Sequence, residues 1–190
     1  MLECLRKPTN PMAVTVTLFI AGLLLMTACG ANLPPLKTVA SVDIPRFMGD
    51  WYVIANIPTW IEKEAHNAVE SYRLDKDGTI ATTFTFRKGS FAGPLKTYTP
   101  RGFIRDTSSN AVWGMMFVWP IKAEYLITDL NENYTQTVIG RNKRDYVWIL
   151  ARTPSIPEED YARLVAVLSA QGYDITKLQK VPQRWPDKRE

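Results

Sequence analysis

The chain has 190 residues, of which 46% are hydrophobic and 22% charged, and its formal net charge is +4. This length and composition are typical of one globular domain, and so small a positive charge does not indicate a nucleic-acid-binding protein. The only histidine is His66, which excludes a multi-histidine metal site within one chain. We expect His66 to be a solvated loop residue and expect no metal or other cofactor; a haem held by this histidine alone is the alternative.

The first 28 residues are predicted to be a secretory signal peptide. Arg6 and Lys7 precede a largely apolar run over residues 12–28, which is short for a membrane-spanning helix. An uncleaved N-terminal membrane anchor is the alternative reading of this run.

The end of that run resembles the bacterial lipobox, because Thr27 and Ala28 are followed directly by Cys29 and Gly30. The resemblance implies that Cys29 carries diacylglycerol and acyl chains such as palmitate, which give stable membrane anchoring. Gly30 after the cysteine implies the outer membrane, with the protein facing the periplasm. Since Cys4 leaves with the signal peptide, we expect no disulfide.

Eight short strands are predicted after a Pro-bearing tether over residues 29–41 and a lead-in segment over residues 42–47. Alternating apolar residues and turn signals such as Asp77-Gly78 set their spacing. Strands at this spacing indicate an up-and-down antiparallel meander, and eight of them close into a barrel that can hold one small ligand. The predicted strands are 51–57, 69–74, 79–87, 95–105, 111–118, 121–130, 134–141 and 145–153.

One amphipathic helix is predicted over about residues 156–171. Ser155 and Glu158 have the spacing of a capping box, and apolar residues then recur at helical spacing until Gly172. We expect this helix to lie against the outside of the sheet; a membrane role is the alternative. A small edge strand within residues 174–181 and a charged tail over residues 183–190 complete the chain.

Closure of the sheet would bring together the two ends of the meander. The first strand opens with Gly49-Asp50-Trp51-Tyr52 and the last ends at Arg152. A guanidinium over the indole face of Trp51 would be a cation–π contact of about 0.5–2 kcal/mol. The alternative is that Trp51 is an ordinary core aromatic.

With these residues placed, residues 42–182 resemble a lipocalin, and specifically the bacterial outer-membrane lipoprotein branch with its apolipoprotein D-like relatives. Three motifs carry the resemblance: Gly49, Trp51 and Tyr52; Thr128 and Asp129 before Leu130; and Arg152. The resemblance implies an all-β calyx, an eight-stranded up-and-down antiparallel barrel with one C-terminal helix, whose motif residues hold the closed end. It also implies binding of fatty acids or lysophospholipids for lipid transport, storage or envelope maintenance, without catalysis.

The alternation of the strands predicts which side chains face the cup, and Trp60 in the long loop over residues 59–67 is placed at its mouth. Each strand residue has the alternative of simply filling the barrel, and the alternative for Trp60 is an exposed loop aromatic. The candidate lining residues are Tyr72, Leu74, Phe84, Phe86, Trp113, Met115, Phe117, Tyr125, Ile127 and Trp60.

Two further functions stay open at this point. A barrel packed shut would indicate a structural envelope lipoprotein acting through a protein partner, whereas an open cup favours ligand binding. An enzyme acting on lipids or isoprenoids would need polar groups converging at the cup floor, for which Glu70 and Glu124 are the candidates. The sequence leaves monomer and dimer open.

Overall fold

The computed structural model describes residues 33–186, which belong to one compact unit that begins at Leu33. The predicted signal peptide, the first four residues of the predicted tether, which include Cys29, and the last four residues of the tail lie outside the described residues. Within residues 33–186, no helix has the length and apolar character needed to cross a membrane.

Ten strands, two α-helices and one 3₁₀ helix make up the described fold. Helix α1 spans Ile44–Phe47, α2 spans Glu158–Ala170, and the 3₁₀ helix spans Ile175–Lys177. The strands are β1 Gly49–Ile57, β2 Ala65–Leu74, β3 Ile80–Lys88, β4 Leu95–Tyr98, β5 Arg101–Ile104, β6 Val112–Val118, β7 Ile121–Leu130, β8 Gln136–Gly140, β9 Val147–Ala151 and β10 Gln179–Lys180.

The sheet closes on itself, which confirms the predicted eight-stranded antiparallel barrel. The strands pair in the order β1-β2-β3-β5-β6-β7-β8-β9, and β1 also pairs with β9, with Tyr52 opposite Ala151. Strands β4 and β5 are the two halves of the predicted fourth strand, and both pair with β3. They are interrupted at Pro100, which has no N–H to donate to a ladder. The short β10 extends β1 at Ala55 and Asn56.

Two apolar layers lie on opposite faces of the barrel wall. Along β9, Leu150 belongs to the interior cluster, whereas Val147 and Ile149 belong to an outer cluster with Leu164 and Leu168 of α2. Both leucines of α2 are fully buried, so the helix covers the outside of the barrel as predicted.

The predicted capping box is wrong. Helix α2 begins at Glu158 with Pro157 at the N-cap, where no side chain bonds to the helix terminus. Acidic residues fill the first turn instead, where they interact favourably with the helix dipole. Gly172 follows the helix with a φ of +86°, a left-handed conformation that suits glycine.

Arg152 and Trp51 meet at the closed end of the barrel, as predicted. The guanidinium lies 3.8 Å from the centroid of the fully buried indole. Trp51 Nε1 donates to the Phe47 carbonyl at 2.8 Å, so its one polar atom is satisfied. At Gly49, where φ is +94°, a Cβ atom would lie 3.4 Å from Arg152 Nη1. Glycine therefore fits both the backbone and the contact at this position.

Helix α1 closes this end and was not predicted, since residues 42–47 were expected only as a lead-in segment. The Asp43 side chain accepts a hydrogen bond from Arg46 N, and Phe47 is fully buried against Trp51. Arg152 Nη2 donates to the carbonyl oxygens of Arg46, Phe47 and Met48, so the guanidinium ties the C-terminus of α1 to the barrel.

The second motif joins the barrel to α2. Asp129 forms an ion pair with Arg163 at 3.4 Å, and Thr128 Oγ1 lies 3.2 Å from Gln171 Oε1. The side chains of this motif therefore contact the helix and its C-cap.

Candidate ligand-binding cavity

A cavity of about 270 Å³ occupies the barrel interior at the end opposite α1. It opens between the loop that follows β1, the hairpin between β6 and β7, and the loop that precedes β9. Its volume is just under the range of about 300–1,000 Å³ typical of small-molecule sites. The wall is mostly apolar and aromatic, and it consists of Thr59, Trp60, Ile61, Glu62, Glu70, Thr82, Phe84, Pro100, Met115, Phe117, Val118, Ala123, Glu124, Tyr125, Arg141, Tyr146 and Trp148.

Five of the ten predicted lining residues lie in this wall: Trp60, Phe84, Met115, Phe117 and Tyr125. Phe84, Met115 and Tyr125 are buried, whereas Phe117 is 50% exposed and Trp60 is 76% exposed. The exposed pair lies at the mouth, which is the position predicted for Trp60.

The other five predicted residues lie outside the wall. Tyr72, Trp113, Phe86 and Ile127 are buried in the interior cluster, and Leu74 is 42% exposed at the end of β2. The Tyr72 and Trp113 rings pack with Phe47 of α1, at centroid distances of 5.8 and 5.5 Å. The barrel interior is thus divided, with an aromatic plug at the closed end and open space toward the mouth.

Several wall residues were not predicted from the sequence, for two reasons. Trp148 lies in β9, where apolar residues face both sides of the wall, so alternation could not select the inward set. Ile61 and Glu62 come from the first loop, and Arg141 and Tyr146 from the loop before β9, where strand periodicity gives no information. For Glu62, the one signal in the sequence was a carboxyl group next to the apolar loop residues Trp60 and Ile61.

Glu62 fastens the first loop to the mouth of the barrel. Its carboxylate accepts hydrogen bonds from Asn56 Nδ2 at 2.9 Å, Thr59 Oγ1 at 2.8 Å and Trp148 Nε1 at 2.7 Å. Burial raises the pKa of Glu62, and the three donors act in the opposite direction. The loop that carries Trp60 is therefore held against β1 and β9.

Glu70 lies at the cavity floor, on the side of the aromatic plug. It is opposite Trp51 on β1 and Phe84 on β3. The Tyr72 hydroxyl donates to Glu70 Oε2, and the hydroxyls of Tyr72 and Tyr125 are 2.7 Å apart. Burial, and secondarily the Glu62 charge, raises the pKa of Glu70 to about 8. Burial also raises the pKa of Tyr125, so the floor is polar and uncharged at neutral pH.

Arg141 is the cation of the cavity wall. Its Nη1 lies 3.4 Å from Asp145, and its guanidinium is 5.2 Å from the centroid of the Tyr146 ring. Its buried Nε has no hydrogen-bond partner among the described residues. This side chain offers a donor to an anionic group at the mouth.

The remaining ionisable residues singled out in the sequence lie away from the cavity floor. Glu124 belongs to the wall but is bonded to Asn142 at the rim rather than at the floor. His66 was expected in a loop but lies in β2, where its ring packs edge-on against Phe91 at 4.9 Å. Among residues 33–186, no three His, Cys, Asp or Glu side chains are grouped as metal ligands. The wall thus provides apolar surface and hydrogen bonds.

Comparison with known proteins gives a consistent result. A family model described as a lipocalin-like domain matches residues 42–183. The outer membrane lipoprotein Blc of Citrobacter freundii is 28% identical over 86% of this chain and 93% of its own length. Apolipoprotein D of Mus musculus is 28% identical over 90% of this chain and 96% of its own length. The structure of insecticyanin from the tobacco hornworm Manduca sexta superposes with a TM-score of 0.65 at 15% identity, covering 81% of this chain and 87% of that one.

Proposed function

The chain belongs to the lipocalin family, and on that premise we propose that it binds a fatty acid or lysophospholipid in the barrel cavity as a membrane-anchored lipid carrier. Lipocalins are in general binding and transport proteins for small lipophilic molecules rather than enzymes. The observation that carries the proposal is an open apolar cavity with one cation, Arg141, in its wall. A barrel packed shut, as a purely structural lipoprotein would have, does not fit this open space.

The cavity chemistry favours an amphiphile. Each methylene group removed from water contributes about 0.8 kcal/mol, so an acyl chain against Phe84 and Met115 binds without catalysis. With about 270 Å³ available, a long chain lies only partly inside and its head group stays near the mouth. There the guanidinium of Arg141, whose side chain is 19% exposed, fits a carboxylate or phosphate oxygen.

Ligand titration tests the proposal directly, because Trp60 and Trp148 lie in the cavity wall and report on occupancy. We expect palmitate and lysophospholipid to change the tryptophan fluorescence saturably. Both ligands carry an anionic group, a carboxylate or a phosphate, so Arg141→Gln should weaken their binding about tenfold, while the exposed neighbour variant Lys143→Gln should leave it unchanged. Absence of a saturable change with any acyl ligand contradicts the proposal.

The proposed anchor is lipidated Cys29, which would place the protein on the outer membrane facing the periplasm. Arg144 Nη2 donates to the Pro34 carbonyl at 2.6 Å and Leu36 N donates to Asn142 Oδ1 at 2.7 Å, so the described chain starts beside the cavity mouth. Only three residues separate Cys29 from Leu33, and the four steps between them reach at most about 14 Å. A lipid on Cys29 would therefore bring the mouth close to the bilayer.

The rim of the mouth supports this orientation. Trp119 at the β6–β7 hairpin is 81% exposed, and Val118 and Ile121 beside it are each 67% exposed. Such a group of exposed apolar side chains is typical of an interaction surface. We expect Cys29→Ser to move the protein from the membrane fraction to the soluble fraction. Retention of that variant in the membrane would mean that the anchor lies elsewhere.

A further inference from the structure

Glu70 is a carboxyl group at the floor of an otherwise apolar cavity, and the binding of a plain acyl chain gives it no role. The side chain is partly accessible, and because Glu70 lies in the cavity wall, that accessible part faces the cavity. Any ligand that fills the cavity to its floor therefore meets Glu70.

Two tyrosines complete a polar floor around this carboxyl group. Tyr72 bonds to Oε2, and among the described residues no hydrogen bond reaches Oε1. The Tyr125 hydroxyl, 2.7 Å from that of Tyr72, belongs to a residue of the cavity wall. The carboxyl oxygen and the phenols form one hydrogen-bonded chain that ends at the cavity, so a ligand group could extend it.

The methyl end of a saturated acyl chain would leave this floor without a partner. A buried polar group that loses its hydrogen bonds to water costs about 1–3 kcal/mol, which would offset the gain from the last methylene groups. A ligand hydroxyl both donates and accepts, so it would satisfy the floor. A ligand whose buried end carries an oxygen therefore fits the polar floor better than a ligand that ends in a methyl group.

We propose that Glu70 and Tyr125, joined by the Tyr72 hydroxyl behind them, form a subsite for an uncharged hydroxyl group at the buried end of a lipophilic ligand, so that the cavity prefers hydroxylated acyl chains. This inference rests on the proposed function, because it assigns the class of chain bound in the same cavity.

The charges around the subsite favour a neutral group over an ion. Glu62 is the other carboxyl group facing Glu70, the two tyrosines are neutral, and Arg141 is the cation of the wall. Because burial raises the pKa of Glu70 to about 8, the floor carries little charge at pH 7. A ligand ammonium group would need Glu70 to ionise, so its binding would tighten as the pH rises toward 8 and level off above it.

The test compares two ligands that differ only at the buried end, dodecanoate and 12-hydroxydodecanoate, by tryptophan fluorescence of the full chain at pH 7. We expect the wild-type protein to bind the hydroxy acid about tenfold more tightly, the value of one satisfied hydrogen bond. Glu70→Leu should reverse the preference, since a hydroxyl would then face an apolar floor. Glu70→Gln should keep it, because an amide still forms the hydrogen bond.

Controls separate the subsite from the cavity as a whole. Glu159→Leu, an exposed change on α2 outside the cavity wall, should leave the ratio of the two dissociation constants unchanged. Tyr125→Phe should lower the preference for the hydroxy acid. A melting curve checks that each variant folds. A ratio that is the same in the wild-type and Glu70→Leu proteins overturns the subsite while leaving the proposed function intact. Tighter binding of 12-aminododecanoate than of 12-hydroxydodecanoate, growing as the pH rises toward 8, also overturns the subsite. Failure of every acid to bind overturns both proposals.

Discussion

Arg152 shows how one side chain can hold the closed end of a barrel. Its guanidinium stacks on Trp51 and donates to backbone carbonyls of α1, to Asp50 O at 2.7 Å and to Tyr134 O at 3.2 Å. Burial lowers the pKa of Arg152, and the nearby Asp50 charge opposes that change. The planar fork of donors, rather than the charge alone, explains why arginine is needed at this position.

We therefore predict that Arg152→Lys destabilises the protein although it keeps the charge. Lysine cannot bond several carbonyls in one plane, so the loss should be about 1–3 kcal/mol in the free energy of unfolding. Urea denaturation measures it. Arg163→Lys is the matched control, since its ion pair with Asp129 is partly exposed and should matter little. Equal stability of Arg152→Lys and the wild-type protein would contradict the role assigned to the fork.

We predict that Trp51→Ala lowers the free energy of unfolding more than Arg152→Lys does. The indole is fully buried, and Trp51→Ala removes its apolar contacts and leaves a cavity under the guanidinium. Large-to-small changes of this kind cost about 3–5 kcal/mol. Thermal or urea unfolding gives the value, with the exposed Trp119→Ala as the control. A melting curve close to that of the wild-type protein would argue against a structural role for the indole.

Glu70 gives a prediction for the dependence of stability on pH. Its pKa rises from an ordinary value of 4.5 to about 8 in the folded protein, so the folded state retains a proton that the unfolded state releases. Stability therefore falls as the pH rises between 4.5 and 8, with a ceiling of about 5 kcal/mol. Glu70→Gln should equal the wild type near pH 4.5 and exceed it in stability at pH 9, in urea titrations at both values. Parallel pH profiles of the two proteins would contradict the buried position of the carboxyl group.

At the scale of elements, the sequence predicted the strands well where one face of the barrel wall is apolar and less well where both are. The predicted strand over residues 121–130 coincides with β7. In β9, Ile149 packs outward beneath α2 while Leu150 packs inward, so both faces are apolar. Alternation identifies a strand there but not its orientation.

The candidate site shows the same limit. Residues on regular strands, such as Phe84 and Met115, could be predicted to face inward from alternation. Glu62 and Arg141 reach the cavity from loops, and their placement depends on long-range contacts such as the bond between Glu62 and Trp148. The sequence also did not predict how far the aromatic plug extends into the barrel. Its extent depends on Phe47 of α1, a helix that the local sequence did not predict.

Helix α2 supports a prediction at this scale. Leu164 and Leu168 are fully buried against the outer face of the barrel, so Leu164→Ala should destabilise the protein by about 2–5 kcal/mol. Ser169→Ala, an exposed change on the same helix, is the control and should stay within about 0.5 kcal/mol of the wild type. Chemical denaturation separates the two cases. A small effect of Leu164→Ala would mean that the helix contributes little to the barrel.

At the scale of the molecule, closure couples the two ends of the barrel. Strand β1 pairs with β2 and β9, so the wall that frames the cavity is continuous with the strands locked by Arg152. The C-terminal segment adds to this frame, since Gln183 Nε2 donates to the carbonyl oxygens of Val53 and Ala68. A ligand bound among these strands stabilises the whole barrel, because unfolding must release it.

This coupling predicts a shift in melting temperature on ligand binding. A ligand at a hundredfold excess over its dissociation constant adds about 2.7 kcal/mol to the stability of the folded state. For a domain of this size that corresponds to a rise of about 5–10 °C, measured by scanning calorimetry with and without dodecanoate. Phe84→Glu would place a charge in the cavity wall and should abolish the rise, whereas Leu74→Glu on the exposed end of β2 should preserve it. If the rise is the same with Phe84→Glu, the ligand binds outside the barrel, on the exposed rim at the mouth.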